Sequence, residues 1–509
     1  MTKRDSSASA ARAARGTDSK DSRAKRSLDL KIETAPVASL RAYEKNARTH
    51  SDKQVAQIRA SIERFGFVNP ILVDDDNVVI AGHGRLEAAK LLGMAEAPIA
   101  RLSHLTPAEV RAYRLADNKL AELSGWDQDL LRIELGALVE IDFDIELTGF
   151  ATPEIDLLLE PTGAESASKP APDDALVAPD QKMAAVSRTG DLWELGKHRL
   201  ICGDALAPET YAALMGDERA DMVMTDPPYN VRVDGHVSGL GKVRHREFAM
   251  ASGEMTPAEF QSFLDAIVGR LAERSRKGAV LDLCMDWRSV FELLSSVRKS
   301  GLELLNICVW NKTNGGMGSL YRSKHELVVV AKKPGAGHIN NVELGKHGRY
   351  RTNVWDYAGA NAFRAGRDED LETHPTVKPV GLVADAIRDV THVGDLVLDP
   401  FCGSGTILLA AERTKRRARA IEIDPLYVDA AIRRFEKATG LTARLASTGE
   451  TFTEIAAKRL SEEEPSDPPS PSPKQTSDAL SHIRVRTRRA PEASPVMRVR
   501  SRLDAALVR

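Results

Sequence analysis

The sequence predicts an α/β protein: a doubly wound, mostly parallel sheet, preceded by a smaller α/β unit and flanked by disordered ends. Three observations carry that prediction. Short apolar runs at 199–204, 220–225, 279–284, 306–310, 326–330, 396–399 and 420–424 alternate with helical stretches, the rhythm of helices covering both faces of a parallel sheet. Two of these runs lead straight into loops of Pro or Gly, beyond the carboxyl ends of strands, where open α/β sheets place ligands. Apolar periodicity is absent from residues 1–28 and fades after residue 446.

The first loop is Asp226-Pro227-Pro228-Tyr229. Its residue types suit work on the exocyclic amine of a nucleobase, a poor nucleophile because its lone pair is delocalised into the ring. The Asp226 carboxylate can accept one N–H and the Pro227 carbonyl another, turning the lone pair towards an electrophile. Pro227 and Pro228 fix φ and offer no N–H of their own. Tyr229 supplies a flat face for an extruded base, and such stacking is worth about 1–3 kcal/mol. A turn that merely contains two prolines is the bland alternative, and a second motif weighs against it.

That motif follows the strand at 396–399. Asp399-Pro400-Phe401-Cys402-Gly403-Ser404-Gly405-Thr406 reads as a glycine turn opening a helix over about 407–413. Gly403 and Gly405 permit a tight turn and let a ligand approach bare backbone. Glu422, in the next strand, stands about 20 residues beyond the glycines, where a Rossmann-like nucleotide site carries its ribose-binding acid. Leu408 occupies the place of the third glycine of the dinucleotide fingerprint. A structural turn in an unrelated α/β protein is the competing reading.

The two loops together resemble the amino-methyltransferases of DNA, which use S-adenosylmethionine. The catalytic loop comes first, as in the β group, whose motif order is a circular permutation of the usual sheet. The resemblance spans about 188–445. It implies a Rossmann-like class I methyltransferase sheet, S-adenosyl-L-methionine as methyl donor, and no metal. It implies catalytic roles for Asp226, Pro227, Pro228 and Tyr229, and donor contacts from Asp399, Phe401, Gly403, Gly405, Thr406 and Glu422. Asp204, ending the strand before it, falls where the family meets the donor's adenine; an N-cap for the helix holding Tyr211 and Leu214 is the alternative. Thr376 and Lys378 fall in the stretch that encloses the donor's methionine end, which makes them candidates for its carboxylate.

An earlier unit spans 29–105. Ser51-x-x-Gln54 opens a helix carrying Val55, Ile58 and Ile62 and closing at Gly66. Strands are expected at 31–33, 70–73 and 78–80. Ala81-Gly82-His83-Gly84-Arg85 then turns into a second helix, whose N-terminus is a ready anion site to which Arg85 adds charge. The unit resembles the ParB N-terminal domain. That family's Gly-Glu-Arg-Arg reads Gly82-His83-Gly84-Arg85 here, so only one arginine is kept. A DNA or nucleotide contact and a plain packing turn both remain open. A helical extension over 106–160 follows, starting at Thr106-Pro107-x-Glu109, with Asp127 capping its second helix. Arg111, Arg114 and Lys119 are its candidate basic face. Residues 161–187 read as a linker.

The methyltransferase part is assigned to 188–446. Basic loops around Arg232, His236, Lys242, Arg244, His245 and Arg246, and around Lys346, His347, Arg349, Tyr350 and Arg351, are candidate DNA grips. A glycine-rich stretch over 311–318 is expected to line the substrate cleft. Residues 447–509 are expected to be disordered, Pro/Ser-rich and then basic, with eight arginines from 484 onward against Glu492 and Asp504.

Net charge is −2, so no global basic field draws the chain to nucleic acid and any contact must be local. Cys202, Cys284, Cys308 and Cys402 are scattered, with no Cys-x-x-Cys, which suggests neither a zinc site nor a disulfide frame. No apolar run reaches bilayer length and no secretory signal shows, so a cytoplasmic place is expected. The expected activity is methylation of adenine N6 in double-stranded DNA. The alternatives are cytosine N4, for which the family more often carries Ser in place of Asp226, RNA as substrate, and a ParB-like binding protein with an inert scaffold. A homodimer and a separate restriction enzyme stay open as partners.

Overall fold

The computed structural model describes residues 30–141, 143–159, 184–230, 253–312, 321–345, 350–358 and 377–462. The N-terminal tail, most of the linker, the basic loop through Arg232 to Arg246, residues 313–318, Lys346, His347, Arg349, Thr376 and the tail from 463 lie outside them. The described residues through Ser461 belong to one compact unit.

The N-terminal part is a four-stranded sheet. Strands β1 (Ile32–Pro36), β2 (Ile71–Val73), β3 (Val79–Ala81) and β4 (Glu96–Arg101) lie in the order β1-β4-β2-β3. Helices α1 (Asp52–Phe65) and α2 (His83–Leu91) meet closely at Gly84, where a Cβ would come within 2.8 Å of Ile58. Ser51 caps α1 by accepting from the Gln54 N–H, and Gly66 ends it at φ 80°. Ile71, Val73, Leu86 and Ile99 fill the core. Arg85 folds back over Gly82, whose missing Cβ would meet the guanidinium at 2.9 Å. In α3 (Pro107–Glu122) the Thr106–Glu109 capping box is formed as read. The basic face there is partly spent: Arg114 stacks 3.7 Å from the Tyr43 ring centre, and Lys119 pairs with Glu122. Asp127 caps α4 (Gln128–Glu140), and α5 (Thr152–Leu159) follows.

The larger sheet has ten strands. In chain order they are β5 (Leu192–Leu195), β6 (His198–Cys202), β7 (Ala220–Thr225), β8 (Ser275–Met285), β9 (Glu303–Asn311), β10 (His325–Lys332), β11 (Val354–Asp356), β12 (Leu396–Asp399), β13 (Arg417–Glu422) and β14 (Arg444–Leu445). In space they run β11-β9-β10-β8-β7-β12-β13-β6-β5-β14. The centre, β8-β7-β12-β13-β6, is parallel; both flanks contain antiparallel pairs, so the sheet is mixed. Met222 and Met224 of β7 join the core on one face and Val223 joins the other, as the two-residue period of a strand requires. Helices α6 (Pro208–Met215), α7 (Pro257–Arg274) and α8 (Val290–Lys299) fill one face. Helices α9 (Val380–Val390), α10 (Thr406–Arg413) and α11 (Pro425–Thr439) fill the other.

Two boundaries move. Residues 447–462 do not continue into a disordered tail: Thr451 and Glu454 form a capping box that opens α12 (Phe452–Glu462). Phe452 packs edge-on against Trp193, and Arg459 pairs with Asp191. The last linker residues also belong to the fold, since the Val186 and Ser187 N–H groups both donate to the buried Asp429 carboxylate. In each case apolar or ionic partners far away in the chain supply order that local composition does not.

The N-terminal part is fastened to the larger sheet through α5. Buried Arg416 grips buried Asp156 with two bonds, at 2.5 and 3.0 Å. Nearby, His392 sits 2.7 Å from both Glu146 and the Thr152 hydroxyl.

Candidate active site

Strands β7 and β12 are parallel neighbours, so their trailing loops leave the same end of the sheet. The Thr225 hydroxyl donates to Asp399 Oδ1 at 2.7 Å, joining the last residue before Asp226 to the first residue of the glycine loop. Asp399 Oδ1 also accepts from the Phe401 N–H at 3.0 Å. Burial raises the Asp399 carboxyl to about 7 despite these two bonds.

Asp226 stands in a nearly closed cluster of charges. The Tyr229 hydroxyl donates to its Oδ1, and the Lys378 ammonium donates to its Oδ2. Lys378, 7% exposed, also lies 2.8 Å from Glu326 of β10 and 3.3 Å from the Tyr229 oxygen. Lys312, just past β9, donates to the other Glu326 oxygen. Burial raises Glu326, but Lys378 and Lys312 outweigh it and draw the carboxyl down to about 2. For Asp226 burial dominates, Lys378 opposes it, and the Glu326 charge adds to it; the net direction is up. Lys378 is held protonated by its two carboxylates. Its ammonium also faces the Trp310 ring at 5.5 Å.

The Lys378 ammonium, expected as a contact for the donor's carboxylate, is paired with Asp226 and Glu326. Thr376, its expected companion, lies outside the described residues. Lys312 opens the stretch expected to line the substrate cleft, whereas Glu326 and Trp310 were not singled out from sequence as functional. One signal was there: a glutamate in the otherwise apolar run of β10.

Pro227 is buried and Pro228 half-buried. Asn230, at φ 56°, donates to the Met255 carbonyl and accepts from the Gly253 and Met255 N–H groups. It thereby ties together the two ends of the basic segment that lies outside the described residues.

The glycine loop is built for close approach. Gly403 and Gly405 take φ of 52° and 82°, and a Cβ on Gly405 would sit 3.0 Å from Ala431. Glu422 ends β13 beside it, accepting from the Gly403 N–H at 2.8 Å and the Asp424 N–H at 2.9 Å. Burial lifts its carboxyl to about 7 against those bonds. Gly203 N–H donates to the Glu422 carbonyl, which brings Asp204 to the same end of the sheet. Asp204 accepts from the Leu206 N–H and does not cap α6, whose N-cap is Ala207. The Thr406 hydroxyl donates to the Lys378 carbonyl at 3.4 Å, and Arg434 of α11 braces Ser404 and Thr406 from behind. Phe401 tilts against Phe263 at 6.1 Å. The open turn, the buried acid at a strand end and Asp204 beside it suit a nucleoside with ribose hydroxyls to donate.

The DNA methylase family profile matches residues 220–433, a span that contains both loops and the Lys378–Glu326 cluster. The chain thus carries an N6/N4 DNA methylase domain preceded by a ParB-type domain. The ParB N-terminal domain profile matches 21–119, and the ParB-methyltransferase HTH domain profile matches 129–189, a region read above only as helices and linker. Type II methyltransferase M2.DpnII of Streptococcus pneumoniae is 24% identical over 265 residues, 50% of this chain and 96% of that protein. M2.MboI of Moraxella bovis is 24% identical over 233 residues, 44% and 83% of the two chains. The ParB-like nuclease domain-containing protein YnaK of Escherichia coli is 51% identical over 77 residues, 15% of this chain and 88% of that one. In this methylase no group of three or more His, Cys, Asp or Glu among the described residues could hold a metal. No described helix is long and apolar enough to cross a membrane.

Proposed function

We propose that this methylase transfers a methyl group from S-adenosylmethionine to the N6 amine of adenine in double-stranded DNA. The observation that carries the proposal is the Thr225–Asp399 bond, which holds the Asp226 loop and the glycine loop at one mouth of the sheet. Bound there, the donor supplies an electrophilic methyl group. Gly403 and Gly405 leave room for it, and Glu422 and Asp204 receive its ribose and adenine sides. The target base leaves the duplex at a cost on the order of a few kcal/mol. Asp226 and the Pro227 carbonyl accept hydrogen bonds from the two amine N–H groups, and the Tyr229 ring covers the base face. These contacts orient the lone pair, and orientation is itself a large part of the rate.

Adenine is favoured over cytosine because the loop begins with Asp226. The test uses genomic DNA amplified in vitro, hence unmethylated, as substrate for the full chain and the donor, followed by digestion to nucleosides. N6-methyldeoxyadenosine is expected; N4-methyldeoxycytidine overturns the base assignment, and no methylated nucleoside overturns the activity.

A further inference from the structure

Both oxygens of the Asp226 carboxylate already hold a donor from this chain: Tyr229 on one and Lys378 on the other. A carboxylate that shares its charge with an ammonium is a weaker acceptor for a target amine, so its full acceptor strength is reached only when the charged occupant draws away. Tyr229 sits in the same loop as Asp226, and its ring packs on the core. Lys378 has somewhere to go. Its ammonium carries three N–H groups and already touches Glu326 at 2.8 Å. Glu326 is fixed in the middle of the sheet, between β9 and β8, and Lys312 anchors its other oxygen.

We propose that Glu326 is a positioning residue that takes over the Lys378 ammonium when the base's amine replaces the lysine on Asp226. The exchange keeps a buried positive charge paired throughout, where a lone ammonium in this dry cluster would be prohibitive. It moves no covalent bond and no proton. It also gives Asp226 its full acceptor strength only as the lysine draws away, which ties that strength to a base in the pocket. The inference rests on the amine-methylation reading above.

Around Asp226 stand Lys378, Glu326, Lys312 behind it, Tyr229, Cys284 of β8 and Asp399 of β12. Glu326 opposes ionisation of Asp226 and Lys378 favours it. Replacing each gives opposite shifts in the acid limb of kcat/KM, the limb that reports free-enzyme groups.

The experiment measures methyl transfer to amplified genomic DNA across pH for wild type, Glu326→Gln, Glu326→Asp and Lys378→Met, with donor affinity by calorimetry. Glu326→Gln is expected to lose about tenfold or more in kcat with donor affinity kept, while its acid limb moves to lower pH. Glu326→Asp is expected to regain part of the rate and the wild-type limb; Lys378→Met is expected to move the limb to higher pH. A Glu326→Gln enzyme at wild-type kcat overturns the proposal. So does a loss of rate with the limb unmoved, the mark of a merely structural glutamate. If instead wild type transfers no methyl group, or Asp226→Ala transfers at the wild-type rate, the underlying reading falls and the inference with it.

Discussion

Thr225 and Asp399, 174 positions apart in sequence, share a hydrogen bond of 2.7 Å at the junction of the two functional loops. Asp399 is 8% exposed, so its carboxylate has little water to fall back on. Thr225→Val keeps the shape and removes the donor. It is expected to cost about 1–3 kcal/mol of stability, read by urea unfolding, and to weaken donor binding in calorimetry.

Asp399 also sets a pH dependence. Its folded pKa, about 7, is above the ordinary carboxylate value, so the native state binds more protons than the unfolded chain between about 4 and 7. Stability therefore falls as pH rises through that window, and Glu422, also near 7, adds in the same direction. Asp399→Asn keeps an oxygen for the Thr225 and Phe401 donors and removes the charge. The variant is expected to show a shallower decline in melting temperature from pH 4 to 7 and a higher value than wild type at pH 8.

The buried pair of Arg416 and Asp156 fastens α5 to the methyltransferase sheet. Arg416→Met leaves Asp156 buried without its counter-charge and is expected to cost about 3–5 kcal/mol. Asp156→Leu with Arg416→Met is expected to recover much of it. Thermal unfolding of the two variants, with limited proteolysis to detect release of the N-terminal part, checks both outcomes.

A chain cut after residue 446 loses Phe452 from Trp193 and Arg459 from Asp191. It is expected to melt lower than the full chain and to expose Trp193 to acrylamide quenching. A cut after residue 462 is expected to leave both unchanged.

Local chemistry accounts for what was legible in sequence. The Ser51, Thr106 and Asp127 caps, the Gly66 stop and the glycine turn at 403–405 each act within a few residues, and each appears in the fold. The pairing of the two loops followed from the family resemblance that their motifs carry. What was not legible depends on partners brought together by the sheet. Glu326 meets Lys378 only because β10 lies beside β8, and Arg416 meets Asp156 across 260 positions. The Thr451–Glu454 box was as local as the others, but the Pro/Ser-rich chain beyond it concealed the helix.

The most direct measurement is single-turnover methyl transfer to unmethylated DNA by Asp226→Ala, with donor affinity measured on the same preparation. A site shared by two loops with separate duties predicts a loss of about a hundredfold or more in the transfer step, with donor affinity within about threefold of wild type. Transfer at the wild-type rate, or donor affinity that collapses together with the rate, would contradict it.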